Sequence, residues 1–199
     1  STNTRFRRER NGAKGRTHEI ERLVARSLRG AVDLEQLGPL SMTVDCEILN
    51  ADGGTRCASI TAGSIALRLA IRRLIASGRC LPAKLRPTEQ QRKEGWKPPV
   101  LSKEEAHGHE MAVMPCDVAA LSVGMVDGEV KVDLDYVLDS NADVDMNVVM
   151  TSAGAFVEVQ GTGEEATYTR EELDSLIDNA VSGIKMLHEH QVKVLEGVN

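Results

Sequence analysis

Aromatic side chains are almost missing: two Phe, two Tyr and one Trp make up 3% of 199 residues. Recognition of single-stranded nucleic acid by stacking bases on aromatic platforms, as in RNP or OB surfaces, is thereby excluded, and any nucleic acid must be held mainly through its phosphates. Cysteine is sparse and unpaired. Cys46, Cys57, Cys80 and Cys116 are scattered without a C-x-x-C spacing, which argues against a disulfide framework or zinc ribbon and fits a reduced, cytoplasmic compartment. No apolar run approaches membrane-spanning length, and the first residues are polar and arginine-rich with no apolar stretch behind them, so neither a membrane span nor a secretory signal is expected. What is present, 41% hydrophobic and 27% charged residues, suffices for a globular core in one or two domains.

Charge is unevenly spread. Residues 1–30 hold eight arginines and Lys14 against three glutamates, a local +6 in a chain of net −6, which leaves −12 for the rest. An acidic chain with a basic arm suits a polyanionic partner at one end. Residues 1–15 have no apolar period and read as an arm. From Thr17, a possible cap, Ile20, Leu23, Val24, Leu28 and Ala31 recur at helical spacing, with Arg22, Arg26 and Arg29 on another face.

The centre of the first half is Asn50-Ala-Asp-Gly-Gly-Thr-Arg56. Met42, Val44, Cys46 and Ile48 alternate before it as in a half-buried strand over 42–49; Ile60 through Ile75 repeat after it as in a helix ending at Gly78. Glycines before a helix start let a ligand approach the backbone, and the first turn offers unpaired N–H groups and a positive dipole end. Thr55 adds a hydroxyl and Arg56 a planar cation that can grip two phosphate oxygens. The same letters also make an ordinary tight turn capped by Thr55, and no Gly-Lys-Ser/Thr follows as a P-loop would need.

Residues 79–110 hold four of the six prolines and the single Trp96, and read as a linker or inserted loop; His107 and His109, without a third ligand nearby, read as polar loop. Beyond it, two strand pairs are signalled, one around Asp127-Gly128 and one around residues 152–155, followed by a capping box at Thr169–Glu172 and a long apolar stripe from Leu173 to Leu187. Between the strand pairs lie Asp133, Asp135, Asp139, Asp143 and Asp145 with no basic residue among them. They lack the glycine and glutamate of an EF-hand, so a solvated acidic loop or a magnesium site shared with phosphate and water are the readings left.

The strings Val44–Arg56, Ala58-Ser-Ile-Thr61, Asp133-Leu-Asp-Tyr136, Asp139-Ser140, Asp143–Met150 and Val157–Thr162, with Thr4–Glu9 and Gly15–Arg22, resemble ribonuclease PH. The resemblance covers nearly the whole chain outside 79–115. It implies an α+β fold of two related sheet-plus-helix halves, of the ribosomal protein S5 domain 2-like type. The halves would be 1–78, with the basic arm and phosphate site, and 116–199, with the aspartates and last helix, joined by 79–115. It also implies a phosphate-dependent 3′-to-5′ exoribonuclease that trims tRNA precursor 3′ ends, releases nucleoside 5′-diphosphates and assembles as a hexameric ring, a trimer of dimers.

By the same resemblance, Arg16, Gly54, Thr55 and Arg56 bind inorganic phosphate, the co-substrate; Asp139 and Asp145 have catalytic or metal roles with Mg2+ or Mn2+; and Arg5 and Arg8 serve RNA binding and subunit contacts. Three departures qualify it. Family members begin several dozen residues earlier, so the first half is incomplete: another chain supplies its strands, or the chain is processed or truncated, or it folds with an exposed sheet edge and binds rather than cuts. Segment 79–110 is longer than the family connection, and Cys57 and Ala62-Gly63 are unusual. A non-catalytic ring subunit of an exosome-like assembly is the alternative; such subunits lose site residues that this chain retains.

Overall fold

The computed structural model describes residues 15–163 and 166–198. Arg5 and Arg8 lie outside them. The chain runs α1 (Gly15–Arg29), α2 (Leu34–Leu37), α3 (Thr55–Ala76), a single 3-10 turn (Ala83–Leu85), α4 (Glu89–Lys93) and α5 (Lys103–Val113). Then follow β1 (Val118–Val126), β2 (Glu129–Val132), α6 (Tyr136–Ser140), β3 (Val144–Thr151), β4 (Phe156–Gly163) and α7 (Arg170–Gly197). The four strands form one antiparallel sheet in the order β2-β1-β3-β4.

The sheet is sandwiched between helices, which is why all nine residues of β1 are buried. Successive side chains of a strand point to opposite faces, so each strand feeds two cores. Val118, Ala120 and Val149 join α1, α3 and α5 in one cluster. Ala119, Leu121, Val123, Met125, Met146, Val148 and Met150 join Leu176, Ala180 and Ile184 of α7 in the other. The β1–β2 turn takes Asp127 and Gly128 into left-handed backbone (φ 53° and 74°), the primed hairpin geometry that the Asp-Gly pair signals. The capping box at α7 is present, with Glu172 N–H donating to Thr169 Oγ1 and Thr169 N–H to Glu172 Oε2.

β2 pairs only with residues 123–126 of β1, so among the described residues no strand lies beside the first half of β1 on that side. Side chains replace the missing ladder. Val118 N–H donates to Ser64 Oγ (3.1 Å), Ala120 N–H to Thr61 Oγ1 (3.0 Å), and Gln191 Nε2 donates to Val118 O (2.9 Å). Buried backbone groups must find partners, and here α3 and α7 supply them across the sheet edge.

Three sequence expectations are corrected. The alternating segment 42–49 is not a strand: Met42 and Val44 pack against the α1–α3 core, but no strand of the described residues lies beside them, and alternation becomes a strand only where a neighbour completes the hydrogen bonds. Residues 79–115 are not simply loop: they contain α4 and α5, both opened by capping boxes, and α5 packs against α3 with His109 and Glu110 buried. Thr17 lies within α1 rather than capping it, and Thr55 is the first residue of α3 rather than its cap, which is Gly54.

Candidate active site

Helix α3 begins where the first half meets the sheet. Gly53 and Gly54 both have positive φ (76° and 51°), and α3 opens directly on Gly54 without a side-chain cap. The turn is pressed onto the segment following β2. A Cβ on Gly53 would sit 2.1 Å from Leu134 O, and one on Gly54 would meet Ser122 Oγ at 3.4 Å and Asp133 Oδ1 at 3.8 Å. Gly53 is therefore required twice over, by backbone conformation and by space. Asp52 Oδ1 accepts from Tyr136 N–H (3.2 Å), which fastens the same two segments together.

Sequence and packing thus bring the Gly-Gly-Thr-Arg helix start of the first half against the aspartate segment of the second. Asp133, itself left-handed (φ 58°), is held by its N–H to Ser122 O (2.8 Å), while Leu134 N–H donates to Ser122 Oγ (3.1 Å). Asp145 is the second residue of β3. It shares with Asn147 the face turned toward α3, beside Ser122, which is registered opposite Asn147 on β1. Cys57, in the first turn of α3, donates its thiol to Asn147 Oδ1 at 3.1 Å. Burial first, then the negative charges of Asp145 and Asp133, push the Cys57 thiol up to about 12 against the opposing pull of Arg56, so it is a protonated donor at neutral pH.

Arg56 is paired with Glu19 Oε1 of α1 at 3.3 Å. Glu19 lies one turn beyond Arg16 on α1, and Arg16 is exposed. Asp139 is also exposed, on the short helix α6, whose cap Asp135 accepts from Leu138 N–H. The structure therefore gathers Gly54, Thr55, Arg56, Asp133 and Asp145 about the start of α3, with Arg16 and Asp139 on flanking helices.

Ser122, Asn147 and Glu19 were not singled out from sequence. Ser122 had a signal, being an isolated polar side chain in an otherwise apolar strand, and Asn147 a weaker one, two residues after Asp145 in a mainly apolar strand. Among the described residues, no three His, Cys, Asp or Glu side chains converge as a metal cage. The donor set fits magnesium or manganese only in the manner of one or two carboxylates completed by phosphate oxygens and water.

Residues 1–72 match the model of the 3′ exoribonuclease family, domain 1, and residues 117–183 that of domain 2. Ribonuclease PH of Saccharopolyspora erythraea is 45% identical over 197 residues, covering 98% of this chain and 67% of that protein. The chain belongs to the ribonuclease PH family. The ribonuclease PH of Rhodopirellula baltica is 48% identical over 192 residues, covering 96% of this chain and 68% of that one. The chain thus spans about two thirds of these relatives.

Among solved structures, rice Rrp46 matches at TM-score 0.58 and 13% identity, covering 94% of this chain and 68% of that one. An Archaeoglobus fulgidus exosome described with RNA bound to the active site matches at 0.55 and 17%, covering 92% and 64%. At such identities the likeness is one of fold, and it agrees with the α+β ribonuclease PH architecture. Among the described residues, no helix is long and apolar enough to cross a membrane.

Proposed function

We propose that this ribonuclease PH-family chain performs phosphorolysis at the site where α3 begins: inorganic phosphate is held there and directed at the terminal phosphodiester of an RNA 3′ end. The observation that carries the reading is the docking of the Gly53-Gly54 turn onto the segment bearing Asp133, and of the first turn of α3, through Cys57, onto the strand bearing Asp145. In this reading an anion-binding helix start and an acidic segment, from distant parts of the chain, act side by side.

In this reading the free N–H groups of the α3 first turn, the Thr55 hydroxyl and the Arg56 and Arg16 guanidiniums bind and orient the attacking phosphate. Holding nucleophile and electrophile in line supplies most of the rate, since phosphoryl transfer asks little covalent chemistry of the protein. Asp139 and Asp145 would hold a divalent ion, magnesium or manganese, which when bound would supply positive charge against the negative charge developing on the phosphoryl oxygens. Asp133, whose carboxylate lies against the Gly54 turn, and Asp145 on β3 are the acid groups beside the start of α3. The products are a nucleoside 5′-diphosphate and an RNA one residue shorter; tRNA precursors are the proposed substrate, and a hexameric ring the proposed assembly. Retention of Arg56, Asp139 and Asp145 favours an enzyme over a non-catalytic ring subunit.

The test is release of nucleoside diphosphate from a short RNA with a free 3′ end, with and without phosphate and magnesium. Phosphate-dependent release supports the reading. RNA that is bound with no diphosphate released under any condition sinks it.

A further inference from the structure

Helix α3 is tied to the sheet at several levels. Thr61 and Ser64, in its second and third turns, hydrogen-bond to β1. Farther along, Arg68 reaches Asp117 and Glu110. In the first turn, the turn that bears Thr55 and Arg56, the tie goes instead to β3 and is made by Cys57, whose thiol donates to Asn147 Oδ1 at 3.1 Å with the cysteine 4% exposed. Asn147 is two residues beyond Asp145 on the same strand face, about 7 Å away at the rise of an extended chain. Its neighbour across the sheet is Ser122, which fixes the Asp133–Leu134 segment. Cys57 therefore touches the strand that bears Asp145, at a residue registered opposite the serine that holds the Asp133 segment.

We propose that Cys57 is a positioning residue for phosphorolysis: through Asn147 it sets the placement of the phosphate-holding turn of α3 relative to Asp145. The proposal rests on the active-site assignment above. Cys57 does not meet phosphate or RNA; it acts by holding two elements whose separation fixes the line of attack. A thiol lost from such a position leaves the phosphate donors intact, so phosphate binding survives while its aim deteriorates. Misplacement on the scale of an ångström is enough to cost rate heavily.

The decisive comparison is Cys57→Thr against Cys57→Val, two side chains of one shape that differ in having a donor. In phosphate-dependent diphosphate release, Cys57→Val is expected to lower kcat roughly tenfold with the KM for phosphate changed less than about twofold, and Cys57→Thr to restore kcat. Asn147→Leu, which removes the acceptor, should lower kcat similarly, and adding Cys57→Val to it should cost nothing more. Equal kcat for the Val and Thr variants overturns the proposal, as does a fall in both that points to packing alone. Arg56→Ala and Asp145→Asn serve as references. If they abolish activity while Val and Thr variants behave alike, only the role of Cys57 falls; if both references keep full activity, the site assignment falls and the Cys57 role with it.

Discussion

The two faces of the sheet do different work. The face under α7 is apolar from end to end: Leu121, Val123, Met125, Met146, Val148 and Met150 meet Leu176, Ala180 and Ile184. The face under α3 is apolar at Val118, Ala120 and Val149 but turns polar at Ser122, Asp145 and Asn147, where α3 starts. Burying polar groups is costly unless each has a partner. One face therefore supplies stability without interruption, and the other can devote one end to chemistry because Asn147 is answered by the Cys57 thiol and the Ser122 hydroxyl by the backbone of Leu134.

The α3 side also uses polarity for stability, at the end away from the site, and that is where the largest effect is expected. Arg68, 4% exposed, donates to Asp117 Oδ1 (2.7 Å), Glu110 Oε1 (3.1 Å) and Met114 O (3.0 Å). Arg72 closes the network onto Glu110 and reaches Leu195 O at the end of α7 (3.0 Å). Arg68→Met takes the guanidinium from Asp117 and leaves Glu110 with Arg72 alone, and should cost about 3–5 kcal/mol in urea unfolding. A loss under about 1 kcal/mol would show that this end of the α3 face is as tolerant as a surface. Next in size is Arg56→Ala, expected to lower turnover roughly 100 to 1000-fold, as for loss of one preorganised charge donor, with the urea midpoint little changed. Near-normal turnover in a folded variant would remove the chemical end from this comparison. On the α7 face, Ile184→Val should cost about 0.5–1.5 kcal/mol and leave kcat per folded molecule as it was. A selective loss of kcat there would mean that the two faces are not independent.

Elements that satisfy their own hydrogen bonds were the legible ones. The helices α1, α3 and α7 declared themselves by period, and α7 by its Thr169–Glu172 box. Hairpin strands β1 and β2 were legible because Asp127-Gly128 specifies a turn that few other dipeptides make. Segment 42–49 misled because its alternation is genuine while its strand status depends on a neighbour, which no local pattern encodes. The stretch 79–115 misled through its prolines, which break the chain into short pieces without preventing α5 from packing on α3. At the site, the glycine turn before a helix start at Thr55 and Arg56 was legible, and so was the run of aspartates. Their juxtaposition was not, because the link between residues 50–57 and 133–147 is tertiary, made by Gly53 against Leu134 O and by Cys57 against Asn147.

The smallest expected effect concerns α5, the helix that the prolines concealed. His109 is 5% exposed, with Nε2 3.6 Å from Cys80 Sγ. Burial, reinforced by the positive charge of Arg86, holds its imidazolium pKa below the ordinary value, while burial raises the Cys80 thiol above its own. The folded pair is thus a neutral imidazole beside a neutral thiol. An unfolded chain takes up a proton at His109 as pH falls through about 6.5, and the folded chain does so only at lower pH. More protons are bound by the unfolded state in that window, so the contribution of His109 to stability is complete above about 6.5 and declines as pH drops toward the folded value. Urea midpoints at pH 7.5 and 5.5 should therefore fall further for the wild-type chain than for His109→Gln, which cannot titrate. Equal falls would assign the acid sensitivity to carboxylates instead, and would leave α5 held to the α3 face by the Glu110 ion pairs and apolar packing alone.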